Sequence, residues 1–268
     1  MTRSTGTTTW LDLGTTDLAA AKTFYEQLFG WDFEDTGEEM GHYHMVRKDG
    51  ALVAGAMSVA GMTCPEGDPL PSEWGVYLAV DDLDARLALA EKHGATVVVP
   101  AGDVGAGRFG VVLDPSHAVI GLWQAGGLDG YDFSGDPGTP VWFELMTQDF
   151  DKAVAFYTDV FDFRPTPLTT EMDDPQSRYV TNAPGQEASS GICDVAGFFP
   201  ADVGSFWRIY FCVEDCDATV DRVKELGGAL LDGPIDSPFG RIATLADPTG
   251  ASFQVSAASQ AVPEGGAS

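Results

Sequence analysis

Two short stretches carry residues that could do chemistry, and they nearly coincide. Residues 7–25 read TTTWLDLGTTDLAAAKTFY, and residues 139–157 read TPVWFELMTQDFDKAVAFY. Eight of the nineteen aligned positions are identical, at an offset of 132. Each copy sets a carboxylate two residues after an indole: Trp10 and Asp12, then Trp142 and Glu144. On an extended strand, residues two apart share a face. Each acid would therefore stand beside an aromatic surface, which suits a general base or an oriented hydrogen bond to a stacked ligand. The other reading is filler, in which each Trp plugs its surroundings and each acid pairs with a neighbour, Glu144 with Arg208. Burying an unsatisfied carboxylate is costly, and two acids at matching positions are an odd choice for filler.

Other residues are open to two readings. His42 and His44 would share one face of a strand, with Tyr43 opposite. That is a ligand pair which could join Asp12 around a metal, or a surface pair on an edge strand. His93 falls near a helix C-terminus, where a cation is favourable anyway, and His117 falls in a turn. Arg108 and Arg241 sit in matching Gly-Arg contexts and either line an opening or anchor a turn. Phe198 and Phe199 either cover a cavity mouth or anchor a loop. Four cysteines, Cys64, Cys193, Cys212 and Cys216, have neither zinc-site spacing nor the density of a disulfide framework. Cys212 and Cys216 could sit near each other, but small buried thiols are the simpler account.

The elements that must position these residues repeat too. WLDLGTTDLAAAKTFYEQLFG reads as a strand and then a helix. Leu18, Ala21, Phe24, Tyr25 and Leu28 lie on one face of that helix, Asp17 caps it and Gly30 ends it. YHMVRKDGALVAGAMSV reads as two strands about a Lys-Asp-Gly turn, followed by a Pro-rich loop, CPEGDPLPSE. The same grammar restarts at WGVYLAVDDLDARLALAEKHGA, whose helix is capped by Asp82 and ends at Gly94. Three strands follow, with a turn at Asp114-Pro115. Trp207, Tyr210, Asp215, Gly227 and Asp247 match Trp74, Tyr77, Asp82, Gly94 and Asp114 at an offset of 133. The unit is βαβββ, used four times, and the fold class is α+β. The expected domains are 1–125 (modules about 7–60 and 74–124) and 139–257 (modules about 139–196 and 205–257). A Gly-rich linker over 126–138 would join them, and a disordered tail would cover 258–268.

Composition bounds the function. Lys and Arg number 14 against 41 Asp and Glu, a net charge of −27, so nucleic acid and anionic membrane are poor partners. A hydrophobic content of 44% allows real cores. The opening MTRSTGTTTW lacks the apolar core of a signal peptide, and no apolar run is long enough to span a membrane. The expectation is a reduced, cytoplasmic monomer or homodimer.

Paired βαβββ modules, an Asp-capped helix carrying Phe-Tyr and an Asp-Pro turn before the last strand together resemble the vicinal oxygen chelate superfamily. That group includes glyoxalase I, bleomycin resistance proteins and extradiol dioxygenases. More narrowly, the chain looks like tandem two-domain actinobacterial members, several of which accompany antibiotic biosynthesis. The resemblance covers roughly residues 7–257 and implies two vicinal-oxygen-chelate cups (a glyoxalase-like fold). It also implies metal ligands seven residues before each capping Asp and seven after the Asp of the turn. In the first half those positions hold Trp10, Gly75 and Gly121; in the second they hold Trp142, Arg208 and Gln254. None makes a divalent site, and Arg208 is a fixed cation hostile to one. No metal and no cofactor are therefore expected.

Stepping by two from those positions gives the inner faces: Trp10, Asp12, Gly75, Tyr77, Gly121 and Trp123, then Trp142, Glu144, Arg208, Tyr210, Gln254 and Ser256. The intervening Leu11, Val76, Leu78, Phe143, Leu145, Ile209 and Phe211 are apolar and should pack under the helices. The resulting expectation is a metal-independent glyoxalase-like protein that binds a small aromatic or polyketide-type metabolite, as a sequestering or biosynthetic accessory protein. Trp10, Tyr77, Trp123, Trp142, Arg208, Tyr210 and Gln254 would bind the ligand. The alternative is a metal-free tailoring enzyme (isomerase, cyclase or oxidation-assisting) with Asp12 or Glu144 as base; a metal-dependent lyase or dioxygenase ranks below both. Gly75 and Gly121 are expected to leave volume in the first cup, so that a ligand stacks there on Trp10 or Trp123 with Asp12 orienting it.

Overall fold

The computed structural model describes residues 3–64, 67–132, 134–168, 178–200 and 203–260. Each module is a strand, a helix and three strands. The first comprises β1 (Thr8–Thr15), α1 (Leu18–Phe29), β2 (Trp31–Asp35), β3 (His44–Lys48) and β4 (Ala51–Ser58). The second comprises β5 (Glu73–Ala79), α2 (Leu83–Lys92), β6 (Thr96–Asp103), β7 (Gly107–Leu113) and β8 (Val119–Ala125). The third comprises β9 (Pro140–Thr147), α3 (Phe150–Phe161), β10 (Thr166–Pro167), β11 (Tyr179–Thr181) and β12 (Ser190–Asp194). The fourth comprises β13 (Phe206–Cys212), α4 (Cys216–Glu225), β14 (Ala229–Ser237), β15 (Gly240–Ala246) and β16 (Ser252–Ala257).

The strands form two mixed eight-stranded sheets, one per half. Their orders, β2-β3-β4-β1-β5-β8-β7-β6 and β10-β11-β12-β9-β13-β16-β15-β14, correspond strand for strand. These are the two cups of the glyoxalase-like fold. The chain also divides into two compact units that draw on both halves. One holds Met1–Trp10, Gly75–Gly130 and Trp142–Arg208; the other holds Leu11–Trp74, Tyr131–Val141 and Ile209–Ser268.

Local chemistry explains the elements. Asp17, Asp82, Asp149 and Asp215 each accept a hydrogen bond from the backbone N–H three residues on, at the N-cap of α1 to α4. This answers one of the donors left unpaired at a helix start. Gly30 ends α1 in the left-handed region at φ 69°, where a Cβ would be strained. Helix α2 stops at Lys92 with His93 as its cap, so Gly94 lies just beyond the end rather than at it. Buried on α1 are Ala21, Phe24, Tyr25 and Phe29, so Phe29 takes the place expected of Leu28, which is only half-buried. Leu11, Leu78, Leu145 and Phe211 are fully buried, and Val76, Phe143 and Ile209 nearly so.

The expected linker is held at three successive points. Tyr131 is buried, Thr9 Oγ1 donates to the Asp129 carbonyl, and the Asp132 carboxylate accepts from the Leu52 N–H. Ala258–Gln260, expected to be disordered, forms a 3-10 turn whose Gln260 Oε1 accepts from the Cys216 N–H; residues 261–268 lie outside the described residues. No described helix is long and apolar enough to cross a membrane.

Candidate functional site

On the first sheet, parallel pairing of β1 with β4 sets Asp12 opposite Gly55. Tyr43 reaches over that glycine: a Cβ on Gly55 would fall 1.7 Å from the phenol oxygen, so only glycine admits the ring. The Tyr43 hydroxyl donates to Asp12 Oδ2 at 3.4 Å. His42 is left-handed at φ 56° and precedes β3, so His42 and His44 do not share a strand face as expected. His42 instead bonds Asp35 at 2.9 Å, His44 turns its Nδ1 to the His42 carbonyl, and Tyr43 takes the place beside Asp12.

The space expected beside Gly121 is filled. Tyr77 is its cross-strand partner, and a Cβ on Gly121 would fall 2.0 Å from the Tyr77 ring. Trp123 lies against Gly107, and its Nε1 donates to the Leu128 carbonyl at 3.0 Å. Trp10 and Trp123 are 5% and 7% exposed, which leaves little indole face for stacking.

The second sheet repeats the tyrosine-over-glycine arrangement on β11 and β12 but uses it differently. Glu144 stands opposite Gly191, and a Cβ there would fall 2.1 Å from the Tyr179 hydroxyl oxygen. That hydroxyl accepts from Trp142 Nε1 at 2.9 Å, and Trp142 is half-buried. Glu144 is buried, and both Nε (3.1 Å) and Nη2 of Arg208 donate to its Oε2. The pairing of Glu144 with Arg208 read from the sequence is present. Cys193, also on the inward face of β12, has its thiol pushed up to about 12, by burial first and then by the charge of Glu144. On β13 and β16, Tyr210 and Gln254 are cross-strand partners, 8% and 3% exposed.

These residues do not fit a divalent metal. An indole and two glycines offer no donor. In the second half the guanidinium of Arg208 is engaged by Glu144, and Gln254 alone offers an amide oxygen. Among the described residues no three His, Cys, Asp or Glu side chains gather as a metal site.

Sequence reasoning missed what the Phe-Tyr pairs do. Tyr157 on α3 donates to Asp114 Oδ2 at 2.9 Å and accepts from Trp207 Nε1 at 3.0 Å, all three buried. Asp114 Oδ1 meanwhile holds the Asp-Pro turn through the Ser116 and Ala118 N–H groups. Burial raises the Asp114 carboxyl and sends the Tyr157 phenol well above its usual range. The equivalent trio is Trp74, Tyr25 and Asp247. There Trp74 Nε1 donates to the Tyr25 hydroxyl at 3.1 Å, and the charge of Asp247 helps raise the phenol. Asp247 Oδ1 holds the matching Asp-Pro turn through the Thr249 and Ala251 N–H groups. The recurrence of Trp, Tyr and Asp in register was the available signal.

Arg108 clamps Asp84 on α2 and Arg241 clamps Asp217 on α4, each through two hydrogen bonds. Cys212 lies in β13 and Cys216 opens α4, and both thiols are free. Phe198 and Phe199 are 58% and 37% exposed. Clefts of about 300 Å³ and 450 Å³ in the second unit are lined mainly from α1 and α4, away from the sheet residues above.

A family model described as the Glyoxalase/Bleomycin resistance protein/Dioxygenase superfamily matches residues 7–122 and again 139–255. The "Putative glyoxylase CFP32" of Mycobacterium bovis is 38% identical over 257 residues, covering 93% of this chain and 94% of that protein. The anthracycline biosynthesis protein DauV of a Streptomyces species (strain C5) is 35% identical over 277 residues, covering 98% of each chain. Among solved structures, the 2,3-dioxygenase LapB from Pseudomonas sp. KL28 aligns with a TM-score of 0.64 at 14% identity, covering 95% of this chain and 93% of that one. The Mn(II)-bound glyoxalase from Novosphingobium aromaticivorans aligns with a TM-score of 0.61 at 16% identity, covering 94% and 82%. At such identities the structures speak for the fold alone.

Proposed function

This chain belongs to the Glyoxalase/Bleomycin resistance protein/Dioxygenase superfamily, and from that premise we propose that it is a metal-independent member binding a planar, polyketide-type aromatic metabolite as a biosynthetic accessory protein. The observation that carries this reading is the Glu144–Arg208 clamp. A position that would hold a metal ligand carries a guanidinium, and its neighbouring acid is committed to neutralising it. That arrangement supports binding without a metal.

The aromatic class rests on two supports. Trp142 is half-buried, and its indole N–H is fixed by the Tyr179 hydroxyl, so its ring plane is preset. Preset aromatic surfaces bind flat ligands at little cost in conformational entropy. The similarity to proteins named for anthracycline biosynthesis points to the same class of molecule. The polycyclic ring system would stack on Trp142, with the Glu144–Arg208 pair as a polar wall. This favours the second half over the first, where Tyr77 already covers Gly121.

The second reading, a metal-free tailoring enzyme, rests on Asp12. It is half-buried and accepts a hydrogen bond from the Tyr43 hydroxyl, a carboxylate beside a phenol. Tryptophan-fluorescence titration with a dihydroxyanthraquinone, in the presence of chelator, tests the binding reading. Saturable quenching is expected, weakened about 5- to 150-fold by Trp142→Ala, the equivalent of about 1–3 kcal/mol. Binding that survives Trp142→Ala but is lost in Trp10→Ala would place the ligand in the first half instead. Turnover of the probe that is abolished by Asp12→Asn would favour the enzyme.

A further inference from the structure

Phe206 shares the inner face of β13 with Arg208. Trp207 and Ile209 are buried on the other side, where Trp207 bonds Tyr157 of α3, so alternation turns Phe206 and Arg208 inward. Strands β9 and β13 are neighbours, with Glu144 on Arg208 and Thr147 on Ser205. They therefore run antiparallel, and Met146 stands opposite Phe206. Along β9, Trp142, Glu144 and Met146 mark three successive rows of one face. The first holds the indole, the second the ion pair. The third holds Met146 and Phe206, with half-buried Cys193 as the cross-strand partner of Met146 on the β12 side.

Phe206 is half-buried, and Phe199 meets it edge to face, with ring centroids 6.0 Å apart at 72°. The loop that carries Phe199 takes its shape from backbone bonds. The Phe198 and Phe199 N–H groups donate to the Val195 carbonyl, and the Gln148 side-chain amide donates to the Pro200 and Val203 carbonyls. The two phenylalanine rings stay exposed all the same. Of the two readings of this pair, anchoring the loop is therefore the weaker, because the rings forgo burial while the backbone holds the turn. The first sheet lacks this aromatic end: Gly14 and Glu73 stand where the second has Met146 and Phe206.

Resting on the aromatic-binding reading above, we propose that Phe206 and Phe199 bind the far end of the ligand, so that the site selects systems of three or more fused rings over shorter ones. Four residues of strand separate Trp142 from Met146, a span of about 13 Å. A fused polycycle bridges that span and a single ring does not. The order of the rows is aromatic, polar, aromatic, which suits a planar molecule whose oxygens sit on its middle rings. Those oxygens meet Glu144 and Arg208 while the outer rings lie on Trp142 and Phe206. Met146 is buried beneath and serves as the floor. Phe199, half in solvent, closes the open end as a lip.

Calorimetric titration compares a dihydroxyanthraquinone with a dihydroxynaphthoquinone, which keeps the hydroxyl and carbonyl groups and drops one ring. The full chain, Phe206→Leu and Phe199→Leu are each titrated with both probes, and thermal unfolding checks that each variant is folded. The wild type should bind the three-ring probe about 10-fold more tightly or better. In Phe206→Leu that ratio should fall to about 3-fold or less, with the affinity for the two-ring probe unchanged. Phe199→Leu should narrow the ratio in the same direction; its ring is exposed, so it carries the test if Phe206→Leu does not fold. Equal binding of the two probes by the wild type, or an undiminished ratio in the folded variants, overturns this inference and leaves the aromatic-binding reading standing. So does an equal loss for both probes, which would mark a general disturbance of the sheet. Failure of the wild type to bind either probe overturns both.

Discussion

Tyr157→Phe removes one oxygen from a buried polar trio of the first unit. The phenol is fully buried; it donates to Asp114 Oδ2 at 2.9 Å and accepts from Trp207 Nε1 at 3.0 Å. Phenylalanine keeps the ring and its stacking on Phe161, so apolar burial is nearly unchanged. Two buried partners are stranded, an indole N–H and a carboxyl oxygen. Each orphan costs on the order of 1–3 kcal/mol, partly offset by relaxation, which gives an expected loss of about 2–4 kcal/mol. Urea unfolding followed by tryptophan fluorescence reads this as a lower midpoint at unchanged slope. Adding Trp207→Phe removes the stranded N–H, so the double variant should fall short of additivity by about 1 kcal/mol. A loss below about 0.5 kcal/mol for Tyr157→Phe, or strict additivity, would refute the reasoning that this trio acts as a unit.

Three further outcomes follow from the same geometry. Burial raises the Asp114 carboxyl above its ordinary 3.8, so its contribution to stability is fully present below that value and is lost as pH rises through the raised one. The stability of Asp114→Asn relative to wild type should therefore climb with pH across that window and then level off, as read from unfolding midpoints at several pH values. Arg208→Leu should cost about 2–4 kcal/mol by leaving Glu144 buried against a lost cation, and Arg208→Leu with Glu144→Leu should recover most of it. Cys193, with its thiol near 12, should react with iodoacetamide at pH 8 about a thousandfold more slowly than an unperturbed thiol, as measured by peptide mass.

Much of the fold was legible because short-range rules agreed with one another. Each capping Asp announced a helix start, and strand alternation placed Leu11, Leu78, Leu145 and Phe211 in the core. The pairing of Glu144 with Arg208, offered as the filler reading of the two acids, is present. What escaped depended on contacts that no local pattern encodes. Tyr157 looked like one more apolar-face residue of a helix, since its partner Asp114 lies 43 residues upstream in another module. Tyr43 reaches Asp12 because His42 adopts a left-handed backbone that breaks the strand, a conformation uncommon for histidine. Gly121 read as empty volume because sequence does not say that the ring beside it leans over; its pairing with Tyr77 does. The exposed charge, by contrast, says little about the site: Arg108 and Arg241 pair with Asp84 and Asp217 in the first turns of α2 and α4.

The proposed binding of a planar aromatic by this chain needs no metal. The most direct measurement is calorimetric titration of one preparation with a dihydroxyanthraquinone, before and after exhaustive chelation, with elemental analysis of each sample. The expected result is the same dissociation constant in both samples and no stoichiometric Zn, Mn, Fe or Ni in either. Binding that vanishes on chelation and returns with about one equivalent of a divalent metal would contradict it.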